Sequence, residues 1–153
     1  MVADFANSDV GGKLNVIGGA FQFTARAQIP GLSVGVPPMA VVAIIDLPAA
    51  YGQTDFTVVL TLKDSSDTPV EVPSQVVGGT QALRVSQIAN AKRDSSQPAG
   101  IGGRVQIVMA LGPGIPLQPD QAYYWELQIN GHTDKNWRAG FYVQPDPPQP
   151  ILG

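Results

Sequence analysis

The chain has 153 residues, with 9 Lys and Arg against 12 Asp and Glu, a single His and no Cys. That length makes one domain able to bury about two-thirds of its surface without staples, and the missing thiols exclude a disulfide scaffold, a thiolate metal site and a Cys nucleophile. Charged residues are 14% of the chain where about 25% is usual, and the basic ones are scattered through an acidic whole, which argues against nucleic acid or an anionic membrane as a partner.

In chain order, residues 1–6 place an acidic Asp4 where a signal sequence would have its apolar centre. No secretory signal is expected, and the location expected is cytoplasmic or virion-associated. Short strands are predicted at 1–6 and 13–17, separated by Gly11-Gly12, and another at 20–27 after Gly18-Gly19. Residues 29–38 read as a loop. The segment 39–47 is apolar on both faces, the pattern of a central strand covered on each side. Its longest uninterrupted apolar run, seven residues, is far from the roughly 20 that span a bilayer. Phe56, Val58, Leu60 and Leu62 alternate with Thr57, Val59, Thr61 and Lys63 in a half-buried strand, closed by a polar turn at 63–69. Strands at 81–88 and 104–111 flank a Ser-, Gly- and Pro-bearing loop at 90–103. The chain holds 17 Gly and 14 Pro and almost no helical periodicity, so the pattern predicts an all-β fold.

Residues 123–129 and 136–143 form the last predicted hairpin. A turn centred on position 133 pairs Ile129 with Trp137, Leu127 with Ala139, Trp125 with Phe141 and Tyr123 with Val143 on the inward face. Gln128:Arg138 and Tyr124:Tyr142 then fall outward, and Asn130-Gly131 supplies residues that tolerate positive φ. Just before the hairpin, Leu117, Pro119 and Tyr123 have a Leu-x-Pro-x-x-x-Tyr spacing. It resembles the tyrosine corner of fibronectin type III and related immunoglobulin-like sandwiches, and the resemblance implies that the Tyr123 hydroxyl bonds back to the chain at a crossover between sheets. At the N-terminal end, Ala3-Asp4-Phe5-Ala6 and Gly12-Lys13-Leu14-Asn15-Val16-Ile17-Gly18-Gly19 resemble the opening of an uncharacterised family of small bacterial, mostly actinobacterial, proteins. That resemblance implies an immunoglobulin-like sandwich and a bacterial or phage source, and it implies no catalytic residues.

Candidate chemistry is sparse. His132 sits in the predicted turn 130–135 beside Asp134, where a mobile, solvated imidazole makes a poor general base. No Ser stands in a Gly-x-Ser-x-Gly elbow. Asp64 and Asp67 share a turn with Ser65 and Ser66, but without a dense alternation of acids or a bidentate Glu the segment reads as a turn rather than a calcium loop. The Gly pairs read as turns and bulges, since no helix follows them to receive a phosphate. Six of the eleven aromatic residues fall within 123–142. Parity turns Tyr123, Trp125, Trp137 and Phe141 inward and leaves Tyr124 and Tyr142 as the outward pair that a sugar ring could stack on.

The reading is an immunoglobulin-like β-sandwich of about eight or nine strands over residues 1–143, followed by a Pro-rich tail at 144–153. Pro147, Pro148 and Pro150 stiffen that tail, and Ile151 and Leu152 are its apolar anchors. It either lies on a neighbouring subunit or folds back on its own domain. The function expected is non-catalytic, with no cofactor: a structural or interaction subunit that binds a protein partner or self-assembles, for example in a phage or capsid-like particle. Carbohydrate binding at Tyr124 and Tyr142 is the alternative.

Overall fold

The computed structural model describes residues 1–10, 12–29, 34–49, 54–74, 78–90 and 102–148. Among them are fourteen strands and no α-helix. In chain order these are β1 (Val2–Ala3), β2 (Phe5–Ser8), β3 (Leu14–Ile17), β4 (Phe23–Thr24), β5 (Ala27–Gln28), β6 (Val34–Gly35) and β7 (Met39–Leu47). They continue as β8 (Phe56–Asp64), β9 (Glu71–Pro73), β10 (Thr80–Ala82), β11 (Arg84–Ala89), β12 (Gly103–Leu111), β13 (Gln121–Ile129) and β14 (His132–Val143).

Eight of these build the sandwich. One sheet has the order β1-β7-β12 and the other β11-β8-β13-β14-β4. Apart from the excursion to β4 between β1 and β7, the chain crosses between sheets from β7 to β8, from β11 to β12 and from β12 to β13. The first, second and fifth of the seven strands β1, β7, β8, β11, β12, β13 and β14 share one sheet, and the other four share the second. This is an immunoglobulin-like arrangement with its fourth strand on the second sheet. β4 adds to β14 in parallel through Tyr142↔Phe23 and Val143↔Thr24. The remaining six strands pair as three short ribbons, β2-β3, β5-β6 and β9-β10.

The double-sided apolarity of β7 has its cause in three layers. Its inward residues Met39, Val41 and Ile45 join the main core with Val58, Leu60, Leu62, Trp125 and Phe141. Its outward residues Ala40 and Val42 are covered instead by Ala6, Leu14 and Val16 of the β2-β3 ribbon, in a second small core. β8 alternates as its sequence predicts, with Phe56, Val58, Leu60 and Leu62 all buried and facing inward.

Several segments differ from the sequence expectation. Residues 1–6 do not form one strand: Val2 and Ala3 pair with β7, then the chain breaks at Asp4 and β2 leaves to lie on the outside. Of the 20–27 segment only Phe23, Thr24 and Ala27 are strand, the last opening β5, and the loop expected at 29–38 contains β6. The 81–88 strand is interrupted at Leu83, whose N–H goes to Val70 and whose carbonyl accepts the Leu62 N–H, so that β10 and β11 serve different sheets. Gly12, Gly18 and Gly79 have φ of 74°, 61° and 148°, the left-handed region in which glycine turns the chain without a Cβ penalty. Most of the 90–103 loop and the tail residues Pro150, Ile151 and Leu152 lie outside the described residues.

Candidate functional site

The base of the β13-β14 hairpin is closed. The Tyr123 hydroxyl accepts the Gln118 backbone N–H at 2.9 Å and donates to Gln121 Oε1 at 3.1 Å. Leu117 is buried beneath it. Its ring stacks on Phe141, which takes the edge of Phe21. Burial pushes the Tyr123 hydroxyl above its ordinary value, so it stays protonated. Arg26 fastens the start of the tail to this end: its guanidinium holds both oxygens of Asp146 and also donates to the Leu117 carbonyl. Asp146 is thereby held below the usual carboxylate range. The Gln144 N–H bonds the Thr24 carbonyl. Residues 144–146 therefore fold back on their own domain, while Pro147 and Pro148 are exposed beyond them.

Tyr124 and Tyr142 share the outer face of the five-stranded sheet but are not opposed. The observed register pairs Tyr123 with Phe141, Tyr124 with Gly140, Trp125 with Ala139 and Ala122 with Tyr142, two residues away from the pairing expected. The cause is the turn. Asn130 and Gly131, at φ 49° and 81°, close a two-residue loop, and His132 is already strand. A shift of two residues keeps side-chain parity, so Tyr123, Trp125, Phe141 and Val143 remain buried as the alternation requires. The two outward tyrosines, however, are each engaged separately. The Arg138 guanidinium lies 4.5 Å from the centre of the Tyr124 ring. The Tyr142 hydroxyl bonds Asp120, which raises its pKa, and its ring takes an edge contact with Phe23.

Beside Tyr124 the outer face carries a charge network that sequence pattern missed. Glu126 is 2% exposed, with Lys63 Nζ at 2.6 Å and Arg138 Nη2 at 2.9 Å. Burial pushes its pKa up, but the hydrogen bonds and charges of Lys63 and Arg138 outweigh that and leave it below its ordinary value. Asp67 stands outside the same two cations, at 3.8 Å from Lys63 and 3.4 Å from Arg138. Asp64 accepts the N–H groups of Ser66 and Thr68, so both acids of this turn have local partners. Among the described residues no group of three or more His, Asp or Glu is placed to hold a metal.

The tip of the same hairpin is open. The paired register runs to Glu126↔Arg138 and resumes at Gln128↔Thr133, so Leu127 faces a bulge made by residues 134–137. Thr133 Oγ1 donates to the Leu127 carbonyl, and Asp134 accepts the Asn136 N–H, which stabilises the irregularity. Trp137, expected to pack opposite Ile129, is displaced by the bulge and is 40% exposed. It borders the gap between the sheets, where β1 ends: Val2 and Ala3 match only Val41 and Ala40, and Met1 bonds Val42. From Ala43 on, β7 has no partner on that side among the described residues. The result is an apolar cleft of about 500 Å³ between Ile45, Leu47, Phe56, Ile129 and Trp137, with His132 and Asn130 at its rim. A smaller one of about 200 Å³ continues along Val41, Leu60 and Trp125, and Ile44, Leu127 and Trp137 line both. Ile44, on the outer face of β7, is 45% exposed.

This seam is what the geometry offers as a contact surface: an exposed indole and aliphatic side chains over a concave apolar floor, the composition typical of a binding anchor. His132 is exposed at its edge. Its only sequence signal was the Asn130-Gly131 turn, whose two-residue form forces the extra residues of β14 to bulge. The chain matches no protein-family model, no curated protein and no solved structure.

Proposed function

We propose that the chain is a non-catalytic interaction subunit that binds another protein through the seam between β7 and β14. The observation that carries this reading is Trp137, 40% exposed beside a cleft of about 500 Å³, in a chain with only 14% charged residues. Indole side chains supply much of the energy of protein interfaces because they desolvate a large area with few rotors to order. An accessory place in a phage or capsid-like particle is one form of this role. The carbohydrate alternative is weaker, because Tyr124 lies under Arg138 and Tyr142 is bound to Asp120.

The test is solution mass by light scattering across a concentration series, for the wild type and Trp137→Ala. A self-assembling subunit gives a mass that rises above the 16.1 kDa of the chain, and Trp137→Ala lowers it. A mass unchanged by the substitution removes the seam as the contact between copies.

A further inference from the structure

The sheet edges differ in how they are guarded, and one of them points to a specific partner. A strand edge with unpaired N–H and C=O groups recruits another strand unless a bulge, a Pro, a charge or a cover prevents it. β14 is guarded along its free edge by the 134–137 bulge and by Asp134, Lys135 and Arg138. β1 and β4 are two residues each, and β11 has six. β12 has nine residues in unbroken register with β7, from Gly103↔Leu47 to Leu111↔Met39. It contains no Pro and no Lys. Its one charge, Arg104, is turned sideways onto β7, with Nε and Nη2 at 2.6 and 3.0 Å from the two oxygens of Asp46. Among the described residues no backbone bond leaves β12 on the side away from β7.

The sequence of β12 is also self-complementary. Val105, Ile107 and Met109 share the core-facing side with Ile45, Ala43 and Val41, while Arg104, Gln106, Val108 and Ala110 lie on the opposite side, where Val108 packs against the β2-β3 ribbon. A two-fold axis at Ile107 overlaps all nine residues and keeps each face on its own side, as strand parity demands. Val105 then meets Met109 of the partner subunit, and Gln106 meets Val108 of the partner subunit. Both apolar members of the first pair are half-buried at the open edge and would be covered. Arg104 meets Ala110 of the partner subunit, a small, exposed residue.

We propose that β12 pairs antiparallel with β12 of a second copy about Ile107, merging two three-stranded sheets into one of six. This goes beyond the seam, which stays open in such a dimer, and it rests on the interaction reading only in expecting protein contacts.

The test is sedimentation equilibrium on the full chain, wild type against Ala110→Arg and Ala110→Glu. The wild type is expected at twice the chain mass. Ala110→Arg sets two like-charged pairs against Arg104 across the axis and is expected to weaken the dimer roughly tenfold, whereas Ala110→Glu leaves it as tight or tighter. Amide exchange along residues 103–111 is expected to slow with protein concentration in the wild type, a readout that does not depend on how either variant folds. A wild type that stays monomeric overturns the proposal and leaves the seam reading to its own test. A dimer that responds to Trp137→Ala but to neither Ala110 variant also overturns it, while supporting the seam.

Discussion

The two ends of the β13-β14 hairpin are made of the same alternating aromatic and aliphatic residues, yet one end is core and the other is cleft. At the base, Tyr123, Phe141 and Val143 are each at most 4% exposed, because β4 pairs beyond β14 and Phe21 packs against Phe141. At the tip, Trp137 is 40% exposed. There β1 has already ended, and the bulge moves β14 out of its ladder. Hydrophobic pattern decides which way a side chain faces. The number of neighbouring strands decides whether anything meets it there.

The sharpest way to break this contrast is to truncate the two tryptophans in turn. Trp125→Ala, at 1% exposure, is expected to cost about 3–5 kcal/mol, and Trp137→Ala about 1 kcal/mol or less, both read by urea denaturation. Equal losses would mean that the tip is packed like the base.

Next in size is the charge network on the outer face. Glu126→Gln keeps the shape but removes the acceptor charge between Lys63 and Arg138, and a loss of about 2 kcal/mol is expected at neutral pH. The Glu126 carboxyl has a lower pKa folded than unfolded, so the unfolded chain takes up a proton first as the solution is acidified. The contribution is therefore complete above the ordinary carboxylate value and fades as pH falls through the lowered folded value. Stability measured against pH is expected to drop across that acidic window in the wild type and less in Glu126→Gln.

A smaller effect tests the closed end. Tyr123→Phe leaves the ring stacked on Phe141 but orphans the Gln118 N–H, and about 1 kcal/mol is expected to be lost. Arg104→Ala, which removes an exposed pair with Asp46, is expected to change stability by less than about 0.5 kcal/mol. A larger change would show that this pair helps hold the β12 edge.

Much of the fold was legible because β7 and β8 announce themselves. The first is apolar on both faces and proves to lie between two cores, and the second alternates strictly and has one face in the core. The hairpin was half legible. Parity placed Tyr123, Trp125, Phe141 and Val143 correctly, since a two-residue error in register leaves parity intact. The same error hid the seam: with the turn placed at 133, Trp137 falls opposite Ile129, and no bulge is needed. Asn130-Gly131 was the available signal, because two residues that adopt positive φ close the tightest hairpin and leave β14 longer than its partner. Glu126 was invisible for a different reason, as its partners lie on β8 and β14 and only the register brings them together.

Whether the open tip is a contact surface is most directly measured by acrylamide quenching of tryptophan fluorescence in dilute and in concentrated protein. Two classes are expected in dilute solution, a shielded Trp125 and an accessible Trp137, with the accessible class disappearing as the protein assembles. A single shielded class in dilute solution, or a Trp137 that stays accessible while the mass rises beyond that of a β12-paired dimer, would contradict the seam as the place where the subunit meets its partner.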